Sequence, residues 1–332
     1  MILLFVELCV SAFCSNSRYV VDSSVFMVEG CLFSSLSTTL SGSVVYGKDV
    51  SGSLNVVNCM FYCCTSVISG GAIYYDCTGS GSSCFNKVCG RMCFFSGDYI
   101  SGSERGHFGY ILTSQSKNNS IFYLSIVECA PEMKNGVGSI CLRYGKQIVK
   151  DSNSSNNKCY YSGSFESIHG NSTIFSRCTY VNNHITRFHN LYFNGGFNEC
   201  MIESLNVIGN NGPDCGVLSI QHICQYNVNN SIFINNSQYL FGSYGGYGGN
   251  CILTVMKCFI SHTGVVSNPI NGGVVNLNQI EYKEVSTFSL VHFSTYYCPA
   301  DNQLLVPTSN SIISKMFLSI FQIGIIHCVL CY

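Results

Sequence analysis

Among the 332 residues of this chain, 22 cysteines and eight histidines have the most chemistry open to them, as metal ligands, nucleophiles or redox pairs. Cys59, Cys63 and Cys64, the pair Cys89 and Cys93, and Cys328-Val-Leu-Cys331 have spacings of the zinc-ligand kind. A structural zinc site requires a second matched pair, and no other Cys-x-x-Cys or His-x3-His answers the terminal one. His184 and His189 flank Arg187, and His222 precedes Cys224, but no neighbouring serine or cysteine motif completes a triad with either group. The carboxylates are few, seven aspartates and ten glutamates, with no Asp-Asp or Asp-x-x-Asp cluster. Lyases and glycosidases need carboxylates that converge on one groove. Asp22, Asp49 and Asp76 recur at a spacing of 27, yet the best repeat register puts Lys48 over Asp76, which reads as alternating surface charge. The tract Phe241-Gly-Ser-Tyr-Gly-Gly-Tyr-Gly-Gly249 lacks the Lys-Ser/Thr of a phosphate loop and reads as a loop leaving the fold, its Tyr244 and Tyr247 suited to stack on a sugar or partner. The expectation is therefore no catalytic, metal or cofactor site.

The composition narrows the partners. Only 10% of residues are charged against 47% hydrophobic, which excludes a disordered polar chain and a lysine-rich coiled coil. With 16 basic and 17 acidic residues and no basic block, nothing is present to displace counterions from phosphates, so nucleic acid is excluded as the expected partner.

The elements that position the cysteines emerge from repetition. A gapless shift of 28 residues matches Val28 to Val56, Cys31 to Cys59, Phe33 to Phe61, Ser41 to Ser69, Gly42 to Gly70 and Tyr46 to Tyr74. Tyr180-Val-Asn-Asn183, Ile208-Gly-Asn-Asn211 and Phe233-Ile-Asn-Asn236 form a second family, which sets Asn183, Asn211 and Asn236 in one column. Cys31, Cys59, Cys93, Cys159, Cys178 and Cys258 each stand two residues before a large apolar residue. Strand residues two apart share a face, so each such pair is predicted to point into a core together. Apolar runs of four to seven residues end in Gly, Asn or Ser, which is strand and turn punctuation.

One such unit cannot bury its own apolar face, whereas stacked copies can. The predicted fold is thus all-β, a parallel β-helix of roughly 11–13 coils of ~25 residues. Asparagine ladders stabilise one turn, and glycine pairs such as Gly70-Gly71 permit tight corners before the next strand. Cysteines stacked on neighbouring strands at about 4.8 Å would be wider than the ~3.8 Å Cβ separation of a disulfide, which leaves the redox state open. A β-sandwich or propeller is disfavoured by the scarcity of two-residue hairpin turns.

Gly70-Gly-Ala-Ile73, Gly272-Gly-Val-Val275 and Phe233-Ile-Asn-Asn236 resemble the GGA[ILV] and FxxN repeats of polymorphic outer-membrane (Pmp-type) surface proteins, and the chain is also similar to cysteine-rich protist surface proteins. The resemblance covers roughly residues 25–300 and matches poorly over 84–150. It implies a right-handed β-helix displayed on a cell surface, with a role in adhesion.

The expected organisation is an N-terminal cap or signal-like segment over 1–24, the β-helix over 25–300, a linker over 301–315 and an uncharged apolar segment over 316–332. That last run reaches the lower length of a membrane span, ~17 residues, and is a candidate anchor. Asn118, Asn153, Asn171, Asn229 and Asn235 lie in Asn-x-Ser/Thr sequons. The expected function is a non-enzymatic cell-surface or membrane-associated protein, with secretion as the alternative location, that contacts host or self glycans or proteins. The alternatives are a degenerate carbohydrate-active enzyme on the same scaffold and a structural or antigenic coat repeat with no specific ligand.

Overall fold

The structure, a computed structural model, describes residues 10–12, 17–21, 25–97, 105–130, 136–196, 200–245, 250–262 and 264–282. The expected linker 301–315, the apolar segment 316–332, Tyr247 and the Cys328/Cys331 pair lie outside these residues. Among the described residues every regular element is a strand. All strand pairings are parallel, and the chain winds as a β-solenoid.

Three ladders run along it. The first joins ten strands from Val25–Glu29 through Ser53–Val57 and Ser83–Arg91 to Gly273–Asn278. The second starts at Leu32–Ser34 and Met60–Tyr62 and ends at Glu281–Tyr282. The third runs from Tyr19–Val20 and Val45–Gly47 to Val265–Ile270. Strand Val10–Ala12 already pairs with Val25–Glu29, so the pairing begins before the expected boundary at residue 25. The described residues hold fewer coils than the expected 11–13, and most coils are longer than 25 residues: equivalent positions lie 26 or 27 residues apart along the middle, 28 near the start and 36 between Ser83 and Asn119, with a shorter step of 22 from Cys251 to Gly273.

Two corners repeat in every coil, and each is a single residue in the left-handed region. One column of such residues runs Gly30, Asn58, Lys87, Tyr123, Asp151, Arg177, Ser204, Asn230 and Lys257, and a second runs Ser35, Cys63, Met92, Glu128, Asn156, Asn182, Gly209 and Asn235. Holding an L-residue there costs roughly 1 kcal/mol, so the stacking must recover it. It does so through the residue that follows each corner.

After the first corner comes an inward column of Cys31, Cys59, Val88, Leu124, Ser152, Cys178, Leu205, Ser231 and Cys258, none more than 4% exposed. Its small polar members fold back on the corner: the Cys59 thiol donates to the Val57 carbonyl at 3.1 Å, Ser152 Oγ to Lys150 O at 2.8 Å, Cys178 Sγ to Ser176 O at 3.3 Å and Ser231 Oγ to Asn229 O at 2.8 Å. Cysteine here is a small apolar filler that also satisfies a bent carbonyl, and burial pushes the Cys59 and Cys178 thiols up to about 12.

Phe33 and Phe61 follow two residues later and stack in the core at 5.1 Å. The same position one coil on is Gly90. A side chain there would collide with Phe108, which reaches across from the third ladder to meet Phe61 at 5.6 Å. This swap explains the poor repeat match over 84–150. At the third corner Gly70 takes φ +61°, and a Cβ on Gly71 would come within 2.2 Å of the His107 carbonyl, so the glycine pair is required by the approach of the next coil.

Candidate functional site

After the second corner lies a column of Leu36, Cys64, Cys93 and Cys129, continued by Asn157, Asn183, Asn210 and Asn236. The asparagine half is a closed amide ladder. Asn157 Nδ2 donates to Asn183 Oδ1 at 2.9 Å, Asn183 Nδ2 to Asn210 Oδ1 at 3.1 Å and Asn210 Nδ2 to Asn236 Oδ1 at 3.3 Å. Each Oδ1 also receives a backbone N–H from the coil before, from Asn157, Asn183 and Asn210 at 2.9–3.1 Å. Each Nδ2 spends its second hydrogen on a carbonyl, as Asn183 does on Ser154 O at 2.9 Å. Asn211, expected in this column, is not in it. Gly209 takes the left-handed corner that Asn182 and Asn235 take in neighbouring coils, so the inward residue is Asn210. Asn211 instead pairs with Ser237, and its amide brackets Ile185 through the backbone N–H and C=O, both at 2.8 Å.

The cysteines do not assemble a metal centre: among the described residues no group of three or more potential ligands converges. Cys59 and Cys64 point inward in different columns while Cys63 between them forms a corner. Cys93 belongs with Cys64 and Cys129, and Cys159 lies beside Ile185, so neither shares the column of Cys31, Cys59, Cys178 and Cys258. Cys31 and Cys89 are held in disulfide bonds.

The polar and aromatic groups concentrate on the outer face of the third ladder. Its register stacks Tyr46, Tyr74, Tyr110, Cys141, Glu166, Tyr192 and Ser219 in one column. Tyr46 and Tyr74 are half-buried and their rings stack at 5.6 Å; Tyr74 and Tyr110 stack at 5.3 Å. Arg18 lies over the Tyr46 ring at 4.1 Å, and Arg143 Nη1 donates to Tyr110 Oη at 3.3 Å. Arg18 is itself fixed by Ser41 O and Gly42 O. Asp76, beside this column, is raised by burial and by the nearby Asp49.

Further along, Glu166 is 1% exposed and receives Arg105 Nη1 at 2.8 Å and Ser162 Oγ at 2.7 Å. Next to it Tyr192 hydrogen-bonds Gln221 and Asn194, and the His189 ring lies flat on Tyr192 at 3.8 Å, with Ser219 Oγ 3.3 Å from its Nδ1. The Ser219 hydroxyl that meets His189 is itself 3% exposed, and His184 lies exposed beside Lys158 on a separate short ladder. Sequence reading missed Glu166 and Arg105, which stand 61 residues apart. The one available signal was a lone carboxylate between Phe165 and Ile168 in a strand whose other residues, His169 apart, are small or apolar.

Of the sequons, Asn118, Asn171 and Asn235 are exposed and Asn229 is half-buried. Asn153 is 4% exposed at the start of its strand in the second ladder, where the folded chain has no room for a glycan, which corrects the expectation at that position.

Two buried imidazoles carry a pH dependence. Burial pulls both His107, stacked on Phe95 at 4.4 Å with neither ring nitrogen hydrogen-bonded, and His189 down to about 3. Their folded pKa lies below the unfolded value, so the unfolded chain takes up the proton first as pH falls. Stability is full above pH ~6.5 and is lost on the way down towards pH 3, at about 1.4 kcal/mol per unit per histidine. Urea melts at pH 7 and pH 5 are expected to differ by about 2 kcal/mol for each of the two, and His107→Phe, which keeps the stacking on Phe95, should remove about 2 kcal/mol of that difference. An unchanged difference in the variant would refute the assignment.

No helix of the described residues is long and apolar enough to cross a membrane. Neither a family model nor a curated protein nor a solved structure matches this chain.

Proposed function

We propose that this chain is a non-enzymatic surface solenoid that binds glycans or proteins of host or self surfaces through the tyrosine column of its third ladder. The observation that carries the reading is the half-buried pair Tyr46 and Tyr74, whose rings stack at 5.6 Å beside Arg18 and next to the buried Tyr110. With the ring faces turned to one another, their exposed edges and hydroxyls and the neighbouring guanidinium group are what would meet a sugar or side chain. The exposed sequons at Asn118, Asn171 and Asn235 and the Gly70-Gly-Ala-Ile73 corner support a surface location of the Pmp-type or protist kind. We take the winding as right-handed, the sense that parallel crossovers adopt almost without exception. Residues 316–332 would attach the protein to the membrane.

Binding is preferred to turnover because glycoside hydrolysis needs two carboxylates facing each other across the sugar, whereas Glu166 is occupied by Arg105 and Ser162. The test is surface biotinylation of intact cells, followed by glycan-array and cell-binding measurements on the purified chain. Tyr74→Ala is expected to weaken binding at least tenfold, about 1.4 kcal/mol, in line with the loss of an aromatic anchor. A protein found only in the cytosol, or binding that Tyr74→Ala leaves unchanged, overturns the proposal. Absence of any ligand would favour the coat-repeat reading.

A further inference from the structure

We propose that Cys224 and Cys251 are a disulfide-forming pair that staples two neighbouring coils. The two residues are direct partners in the first ladder, Cys224 opposite Cys251, and their sulfurs lie 3.1 Å apart. Parallel neighbours sit about 4.8 Å apart at Cα, inside the 4.4–6.8 Å window from which a disulfide closes. The backbone therefore needs no rearrangement, and the side chains have already turned towards each other. Expecting stacked cysteines to be too far apart overlooks this rotation.

The direct cross-strand position favours the pair over Cys200, another buried thiol close to Cys224. Both members of the pair are buried, at 5% and 0% exposure, so a third thiol cannot reach them from outside the folded chain. Ser243 Oγ, eight residues earlier in the third ladder, donates to the Cys251 carbonyl at 2.7 Å and fixes that backbone. The two thiols share one hydrogen bond in which either sulfur can donate, so the side chains are already in contact.

The oxidant is a small-molecule disulfide such as oxidised glutathione. The Cys251 thiolate attacks one of its sulfurs, a Cys251–glutathione bond forms and one glutathione thiolate leaves. Cys224, having lost its proton to solvent, then attacks the Cys251 sulfur and expels the second glutathione. Two thiols are oxidised, one disulfide is reduced, and two protons are released. Burial of both sulfurs places this exchange during folding, before the last coils close over the pair.

The full chain is refolded in glutathione buffers from fully reducing to fully oxidising, quenched with acid, alkylated in denaturant and cut with chymotrypsin, which cleaves after Tyr226, Phe233 and Tyr239 between the two cysteines. The expected result is a linked peptide joining Cys224 and Cys251, lighter by two hydrogens than the separate pair and split by dithiothreitol. The Cys224–Cys251 bond should also add about 5–10 °C to the melting temperature of the oxidised chain, a contribution that is lost in Cys224→Ser, where the disulfides of Cys31 and Cys89 remain, but persists in Cys200→Ser. Separate alkylation of both cysteines in the most oxidising buffer overturns the proposal, as does linkage of either one to Cys200, Cys215 or a second chain. The peptide map of the unsubstituted chain decides this even if a variant fails to fold.

Discussion

Asn183→Ala is expected to lower the stability of the chain by about 3–5 kcal/mol, while Asn182→Gly, one residue away, changes it by less than about 0.5 kcal/mol. The difference follows from position at the corner. Asn183 is fully buried; its Oδ1 receives Asn157 N at 3.1 Å and Asn157 Nδ2 at 2.9 Å, and its Nδ2 serves Ser154 O and Asn210 Oδ1. Alanine removes one amide but strands groups in two adjacent coils, and each buried donor or acceptor left unsatisfied costs about 1–3 kcal/mol. Asn182 is exposed at φ 51°, where glycine suits the left-handed conformation and gives back in backbone relief what it costs in unfolded-state entropy. Urea midpoints of the two variants check this, and equal destabilisation would show that the ladder contributes nothing beyond the corner. Because solenoid stability is a sum over neighbouring repeats, the loss at Asn183 falls on the coils on either side of it.

The two neighbouring asparagines also show what the sequence made legible and what it hid. Matching identical letters found the true register where both coils kept the same residue, as in Phe33 over Phe61, Val28 over Val56 and Tyr46 over Tyr74. It slipped by one where the corner residue changed type. Asn-Asn pairs were aligned with each other, but what the fold conserves is a left-handed residue followed by an inward amide. Gly209 fills the first role, so Asn210 fills the second. The same logic hid the non-cysteine members of the first inward column, because Val88, Leu124, Ser152, Leu205 and Ser231 share no chemistry beyond fitting one place in the stack. The coil length was underestimated for a similar reason. Turns between ladders tolerate insertion, and only the strands carry the repeat. The candidate site was only partly visible: the repeat set Tyr46 over Tyr74, but Tyr110 follows after a coil of 36 residues and the Glu166 pair rests on a contact across 61 residues. No local pattern encodes the latter two.

The Glu166 pair is where the second large effect is expected: Arg105→Ala should cost about 3–5 kcal/mol. Glu166 is 1% exposed and its carboxylate has two partners, Arg105 and Ser162; without the guanidinium one oxygen keeps only solvent-poor surroundings. The lost Coulomb attraction is not the main cost. It is the uncompensated desolvation of a charge that the fold has already buried. Arg105→Ala combined with Glu166→Gln should therefore recover most of the loss, since the amide needs no counter-charge and can still accept from Ser162 Oγ. A contrast within the same molecule isolates burial as the cause. Arg177 grips Asp151 with two bonds of 2.6 Å, a better geometry than that of Arg105, yet its side chain is 52% exposed. Water and salt screen the exposed guanidinium, and the Asp151 left behind keeps 11% exposure against 1% for Glu166, so Arg177→Ala should cost about 1–2 kcal/mol, well below the Arg105→Ala loss. Arg105 also does more than neutralise a charge: its backbone bridges Val137, and Val137 in turn bridges Ser162, so one residue ties three successive coils where the repeat is most irregular. If chemical denaturation shows the Arg105→Ala loss to be no larger than that of Arg177→Ala, or the double variant to be as unstable as the single, the buried charge is not what the ion pair serves.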